Sequence, residues 1–515
     1  MDLKRHILNP IKYEIKQFKE LKFRKLNEIT IEVLSREGGG ATKIEGVDSK
    51  TDSRVYSKEV LYQTDKVDNK EIKDKIYHKE LDKTDKNINN PSDNLLDIIY
   101  NGKILSITNM GTEWKEVYKI KLNKTIDFIP GDSVGLYCYN PEHVIKVLLS
   151  YLNYNQEASS YNDIYNTFYK IERKGCYSYE YSGNLYGFLR KIDVLSLPKK
   201  SFLNSLSEER DKNNMVEVVR DMSSGLEGVN NISTTDRVND LKYLCSKEGV
   251  KDYYNIYKNF NNLLDILEYF KCKITLELLA EHCEFIKPRY FSLINNKSGN
   301  IELLIGIMSH SVSNSVRYGQ VSAFIKEKYN EKYMNIDINK DENKDRDREE
   351  SEYSNSKYGC CNDINYNDSN TKPILDNIDF VYRMNRLLRL QETKKHLLIS
   401  TGTGIAPFIS FYKNRRKDYL MWLIYGCRNV CDDLSKDMFD RKNVVYSADY
   451  EYTGNYKYVS DYILGNVEGI KEFILSDCSV YVCGSIQMQK SVLGIFKEYF
   501  SFIIEEKRMF FDSWN

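Results

Sequence analysis

Net charge is missing from this chain of 515 residues: 75 Lys and Arg stand against 75 Asp and Glu. A protein that binds nucleic acid or an anionic membrane surface through its overall field carries a basic excess, so both roles are disfavoured. Long apolar runs are missing too. No stretch of about 18 apolar residues occurs, and the amino-terminal MDLKRHILNPIKYEIKQFKELKF has no apolar core behind its basic start, so neither a membrane span nor a signal peptide is expected. The eleven cysteines (138, 176, 245, 272, 283, 360, 361, 427, 431, 478 and 483) include no C-x-x-C pair, which argues against a zinc or iron–sulfur site; no metal is expected. Their odd, scattered arrangement fits free thiols in a reducing, cytoplasmic compartment. Proline is scarce at 8 while Lys, Asn and Tyr abound, a skew of base composition from which no function can be read. Function has to come from local motifs.

What is present is ample core material, 41% hydrophobic and 13% aromatic, enough for two or three domains of about 150 residues. Residues 1–95 alternate Lys with Asp and Glu around a single apolar alternation at Ile29 to Leu34, and read as a charged, partly disordered extension. From Gly102 the runs ILSITNM, VYKIKL and DSVGLYCY, with a turn at Pro130-Gly131-Asp132, predict an antiparallel barrel or sandwich over 96–141 that resumes over 285–330 in YFSLIN and IELLIGIM. Between these halves, 142–284 shows helical spacing in HVIKVLLSYL and NNLLDILEYFKC and reads as an inserted helical block. Residues 326–375, with KDENKDRDREESEYSNS and NDINYNDSN, lose nearly all hydrophobicity and read as a hydrophilic insertion. Over 376–515, strand-like KHLLIST, MWLIYG, NVVYSA and SVYVCG alternate with helical APFISFYKNR and QKSVLGIFKEYF. This α/β alternation predicts a parallel sheet wrapped by helices, with ligands beyond the carboxyl ends of the strands.

Four local elements carry chemistry. Gly402-Thr403-Gly404 directly follows HLLIST and precedes Ala406-Pro407; such a turn exposes backbone N–H groups to an anion, although an ordinary glycine turn reads the same way. Arg289-Tyr290-Phe291-Ser292 offers a phosphate clamp, rings that stack on a heterocycle and a hydroxyl, or simply an edge strand. Gly319-Gln320-Val321-Ser322 opens a helix, where the serine either meets phosphate oxygens or serves as a cap. The chain closes on Phe510-Phe511-Asp512-Ser513-Trp514-Asn515, whose tryptophan alone would read as a docked tail.

In this order the elements resemble the reductase module of the diflavin reductase family, the group of NADPH-cytochrome P450 reductase. The family's R-x-Y-S is matched by RYFS, its G-x-x-[ST] by GQVS, its G-T-G-x-A-P-F by GTGIAPF and its [FY]-G-C-R by YGCR from Tyr425. Its V-C-G falls at Val482-Cys483-Gly484 and its D-x-W at Asp512-Ser513-Trp514, with support from PGDSVGLYCYN at 130–140 and LCSKEGVKDYYN at 244–255. The resemblance spans about residue 100 to the end. It implies an antiparallel FAD-binding barrel with an inserted helical connecting domain, followed by a nicotinamide-nucleotide domain of the ferredoxin-NADP reductase type.

Carried over by position, Arg289 would hold the FAD pyrophosphate beside Tyr290, Phe291 would stack on one flavin face, and Gly319, Gln320, Val321 and Ser322 would receive pyrophosphate oxygens. Trp514 would cover the other face until nicotinamide displaces it. Ser292, Cys483 and Asp512 match the family's polar trio around hydride transfer, and Gly402, Thr403, Gly404, Cys427, Arg428, Ser447, Lys457 and Cys483 match its nucleotide site. Two departures stand out. Phe291 replaces the usual Tyr, and the family's Ser-Arg pair for the 2'-phosphate becomes Ser447-Ala448 followed by Asp449, so NADPH is implied with NADH as a competitor. Residues 1–95 are too short for an FMN domain and lack its phosphate loop. FAD without FMN is therefore expected in this chain, with a separate flavodoxin-like, iron–sulfur or haem protein as electron acceptor. The alternative is a drifted, non-catalytic scaffold that binds a partner protein, against which the joint presence of Ser292, Cys483, Asp512 and Trp514 argues.

Overall fold

The structure is a computed structural model that describes residues 27–36, 98–111, 115–152, 165, 167–175, 178–209, 234–258, 262–270, 272–312, 315–341, 376–436, 438–448 and 454–513. Expectations for Asp449, Trp514 and most of 1–95 and 342–375 lie outside these residues. In chain order the elements run β1 (Asn27–Arg36), β2 (Ile99–Asn109), β3 (Val117–Leu122), β4 (Ser133–Tyr137), α1 (Glu142–Tyr151), β5 (Thr167–Gly175), β6 (Tyr179–Asn184), α2 (Leu185–Lys191), α3 (Thr234–Cys245), α4 (Val250–Lys258), α5 (Leu263–Phe270) and α6 (Leu276–His282). They continue as β7 (Arg289–Ser292), β8 (Glu302–Gly306), β9 (Ser309–Val312), β10 (Ser315–Tyr318), α7 (Gln320–Asp341), β11 (Asn377–Arg383), β12 (Lys395–Thr401), α8 (Ala406–Asn414), β13 (Leu420–Cys427) and β14 (Arg441–Tyr446). The chain then forms α9 (Val459–Gly465), α10 (Val467–Ile474), β15 (Cys478–Gly484), α11 (Ile486–Tyr499), α12 (Ser501–Glu505) and β16 (Met509–Ser513). No described helix is long and apolar enough to cross a membrane.

Two compact units result, each considered by itself. One contains β1, Tyr139–Lys287 and Ser309–Gln320. Its helices bury Leu148, Phe188, Leu203, Leu267, Phe270 and Leu279 in one core. The expected helical block also contains strands, because Thr167–Arg173 buries every second residue, and a strand of that kind needs partners. It finds them in β6 and in β1, whose Ile29 and Ile31 pack on the core. The apolar alternation at the start of the chain is thus a strand of this unit and not part of a loose extension.

The other unit holds a six-stranded antiparallel sheet in the order β7-β4-β11-β2-β3-β8. Its two edges meet where Leu293 bridges Leu303 and Ile294 N–H donates to Glu302 O at 3.0 Å, so the sheet closes on itself. Inward residues Ile104, Ile120, Leu136, Leu303 and Phe380 fill the barrel, each contributing roughly 1.5–3 kcal/mol through burial. Strand β11 corrects the expected boundary at 376. NIDFVYR alternates like the barrel strands and inserts between β2 and β4, so the nucleotide-type sheet begins only at Lys395. A second correction concerns 326–341, read as loop: these residues continue α7, since Lys, Glu and Met are good helix formers and Tyr329 packs on the barrel core.

Downstream, five strands pair in parallel in the order β14-β13-β12-β15-β16. The first strand in sequence, β12, lies at the centre, so the order reverses beside it and a crevice opens at the carboxyl ends of β12 and β15. Both strands are buried on both faces, under Phe408 and Phe411 on one side and Val492 and Phe496 on the other.

Candidate functional site

At that crevice lies a cavity of about 930 Å³. Its floor is built by glycines where no side chain fits. Gly402 has φ +54°, and a Cβ on Gly404 would come within 2.5 Å of the Cys483 carbonyl oxygen. Gly484 has φ +155°, and a Cβ there would meet Met488 Cε at 2.5 Å and Thr401 Oγ1 at 2.6 Å. The Tyr425 hydroxyl donates to Gly402 O at 3.1 Å and fixes the turn, which leads into α8 with Pro407 in its first turn.

The walls come from the ends of neighbouring strands. Cys427 and Arg428 end β13; Ser447 and Ala448 are held opposite them by backbone bonds to Cys427 O (2.9 Å) and Arg428 O (2.8 Å). Lys457, Tyr458 and Ser460 enter from the start of α9, and Ser485 and Met488 from α11 and its cap. The sequence-based nucleotide residues Gly402, Thr403, Gly404, Cys427, Arg428, Ser447 and Lys457 therefore line one cavity. The structure adds Tyr458, Ser460 and Ser485, together with Met110, Gly111 and Lys115 from the β2–β3 connection of the barrel. Burial pushes the Cys427 thiol well above its usual range, with Asp433 and Asp432 adding to the shift and Lys115 opposing it.

Cys483 and Asp512 are directly opposite each other in the β15–β16 register, with Cys483 Sγ 3.8 Å from Asp512 Oδ2. Burial raises the Asp512 pKa above the usual carboxylate range; bonds from Asn385 and Cys483 and the Arg383 charge act the other way. Gln489 Nε2 donates to Gly484 O (2.9 Å) and Asp512 O (2.7 Å), tying the two strand ends together. Asn385 and Arg383 connect this pair to the barrel. Asn385 Nδ2 reaches Asp512 Oδ1 at 3.4 Å while its own N–H donates to Asp132 at 2.9 Å. The Arg383 guanidinium lies 4.7 Å from the centre of the Tyr290 ring. Gly135 makes room for that ring, which a Cβ would approach to 2.8 Å.

Around Tyr290 on β7, Arg289 is exposed, Phe291 packs on the barrel core, and Ser292 is 3% exposed opposite Ser133. Val321 and Ser322 are buried in the first turn of α7, and Ser322 Oγ accepts from Met308 N–H at 2.9 Å, which leaves the hydroxyl proton to donate elsewhere. Gly319 precedes that helix, and Gln320 Nε2 is buried there with no hydrogen-bond partner. None of Asn385, Arg383, Gln489 and Lys115 was visible as a site residue in the sequence, because each reaches the site through the fold.

Comparison with known proteins agrees with this architecture. Residues 398–493 match the family described as Oxidoreductase NAD-binding domain. Methionine synthase reductase of Mus musculus is 23% identical over 395 residues, covering 70% of this chain and 51% of that protein. The sulfite reductase [NADPH] flavoprotein alpha-component of Buchnera aphidicola subsp. Schizaphis graminum is 20% identical over 426 residues, 78% of this chain and 56% of that protein. Nitric oxide synthase of Anopheles stephensi is 22% identical over 424 residues, 74% of this chain and 28% of that protein. The chain thus spans about half, or less, of the length of these curated relatives. An antiparallel barrel followed by a parallel nucleotide-type sheet is the ferredoxin-NADP reductase arrangement. Within that class, the chain is a homologue of the diflavin reductases.

Proposed function

We propose that this chain is an FAD-containing reductase that takes a hydride from NADPH, with NADH as an alternative donor, and passes electrons to a separate flavodoxin-like, iron–sulfur or haem protein. The observation that carries the reading is the Cys483–Asp512 pair beside a glycine-built cradle at the switch point of the parallel sheet. The residues fit both groups. For the dinucleotide, Gly402, Gly404 and Gly484 leave backbone open where any side chain would collide. For FAD, the exposed Arg289 and the Ser322 hydroxyl proton offer donors to a pyrophosphate. Bound FAD would supply the hydride acceptor and the outlet for single electrons. The protein's own part is alignment and charge: Asp512 would face the positive charge that grows on the nicotinamide ring, and Ser292 and Cys483 would set its approach.

The test is the flavin content and redox competence of the purified chain. Acid release should give stoichiometric FAD and no FMN, and anaerobic NADPH should bleach the flavin absorbance. Colourless protein would return the chain to the scaffold reading. In Arg289→Ala, loss of one charge-assisted bond of about 1.5–3 kcal/mol should weaken FAD retention at least tenfold. Full flavin occupancy of that variant after extensive dialysis would contradict the assignment.

Nucleotide choice follows from the same cavity. Ala448 stands where the family's motif has an arginine, which leaves Lys457 and Arg428 as cations in the cavity that holds Ser447 and Ser460. The ratio of kcat/KM for NADPH over NADH is expected to be modest, and Ala448→Arg should raise it about tenfold by adding a guanidinium for the 2'-phosphate. No change of the ratio in Ala448→Arg would place the 2'-phosphate elsewhere.

A further inference from the structure

Asn385 follows β11 in a stretch that carries no motif, yet both ends of its side chain and its own N–H are engaged. Its N–H donates to Asp132 Oδ1 at 2.9 Å, which ties its backbone to the Pro130-Gly131-Asp132 turn. Its Oδ1 accepts from Leu387 N–H and Leu388 N–H, each at 3.1 Å. Those two donors require the amide oxygen on their side, so the Nδ2 hydrogens have to point away from them. They point at Asp512, whose Oδ1 lies 3.4 Å from Nδ2. That is long for a hydrogen bond, and bonds of this kind at a reacting centre tighten when substrate is bound. The other carboxylate oxygen, Oδ2, has Cys483 Sγ at 3.8 Å, and Gln489 Nε2 donates to the Asp512 carbonyl at 2.7 Å. The two oxygens of Asp512 are thus assigned to different partners. Asp132, Asn385, Cys483 and Asp512 all belong to one compact unit.

We propose that Asn385 is a positioning residue for hydride transfer: held by the Asp132 turn, its amide N–H fixes Asp512 Oδ1 and leaves Oδ2 turned to Cys483. The proposal rests on the reading of Cys483 and Asp512 as the hydride-transfer pair. A neutral donor suits this place. A carboxylate here would repel Asp512, and an apolar side chain would leave a largely buried oxygen without its bond. Burial pushes the Asp512 carboxyl upward, and the Asn385 bond is the largest of the opposing effects, ahead of Cys483 on β15 and of the Arg383 charge at the end of β11. Gln489 of α11, the other side chain bonded to this strand end, is neutral.

Two measurements on the full chain test this, one of them independent of turnover. Infrared titration follows the protonated-carboxyl band of Asp512, identified by its absence in Asp512→Asn, and anaerobic mixing with NADPH follows flavin bleaching across pH. In Asn385→Ala the infrared midpoint should rise by about one pH unit, a tenfold change in proton affinity, and the acid limb of the bleaching profile should move with it. Asn385→Asp keeps an acceptor for Leu387 N–H and Leu388 N–H, so the turn is retained, but it sets a carboxylate against Asp512 Oδ1. Its midpoint should rise further than that of Asn385→Ala. A purely structural Asn385 gives the reverse order: Asn385→Asp then behaves as wild type, and Asn385→Ala lowers Tm without moving either midpoint. That result overturns the proposal. Infrared midpoints that move while the bleaching profile stays in place overturn the role of Asn385 in hydride transfer alone. Wild-type protein that NADPH never bleaches overturns the reductase reading and this role together.

Discussion

Replacing Asp512 with Asn is expected to slow anaerobic bleaching of the flavin by NADPH by about 100-fold, the scale on which one preorganised electrostatic contact acts, while FAD stays bound. The carboxylate sits at the end of β16 against Cys483 Sγ, and on the proposed reading it would face the positive charge that hydride loss creates on the nicotinamide ring. Only the ionised form stabilises that charge. Burial raises its pKa above the usual carboxylate value, so the bleaching rate of the wild type should fall as pH drops through a value higher than about 3.9, and Asp512→Asn should lose this step. Stability runs the opposite way. A carboxyl with a raised folded-state pKa favours the folded state when protonated and loses that contribution as pH rises through the raised value, so the neutral amide does not unfold the protein at neutral pH. A low rate in Asp512→Asn is therefore a catalytic effect. Bleaching at the wild-type rate would remove Asp512 from the site.

The sequence exposed those parts of the site that are local along the chain. Gly404 is a glycine because it runs against the Cys483 backbone, and Gly402 and Gly484 because their φ angles are positive, and short motifs record those needs directly. RYFS and GQVS are legible for the same reason. Long-range partners are not. Asn385 lies in a polar stretch without a motif, and only the return of β11 through the barrel brings it between Asp132 and Asp512. Lys115 lies in the β2–β3 connection, which carries no motif. The fold shows the same division. Runs such as HLLIS and VYVCG, apolar on both faces, announce a central parallel sheet, whereas β5 was hidden because Lys170, Glu172 and Lys174 fill outward positions and the surrounding segments are helical or polar, and the alternation of β1 had no visible partner in sequence. Helix α7 was misread over 326–341 because polarity was taken for loop. Lys328, paired with Glu331 at 2.8 Å and Asp376 at 3.0 Å, shows how a polar helix face is anchored.

Asp132→Ala is expected to destabilise the barrel unit by about 3–5 kcal/mol, the cost of breaking a buried charge pair from one side, and to lower Tm by roughly 10 °C. Asp132 is 0% exposed in the Pro130-Gly131-Asp132 turn. The turn itself is tight: Gly131 has φ +102°, and a Cβ there would lie 2.1 Å from Leu388 O. The carboxylate accepts from Ile129 N–H and Asn385 N–H, each at 2.9 Å, and from the Tyr382 hydroxyl, and it pairs with Arg389, itself 19% exposed. Truncation leaves two N–H groups, a phenol and a guanidinium to find new partners at once, and Arg389 Nη2 is already unpartnered. Asp132→Asn keeps the shape without the charge and should lie between Ala and wild type. In Asp132→Ala combined with Arg389→Ala, the loss should fall short of the sum of the single losses, because the stranded charge is then gone. Hydride transfer should suffer as well, since Asn385 is oriented by Asp132 and holds Asp512. A Tm for Asp132→Ala within about 2 °C of wild type would mean that Arg389 and Tyr382 are satisfied by other partners, and that the turn does not organise this end of the barrel.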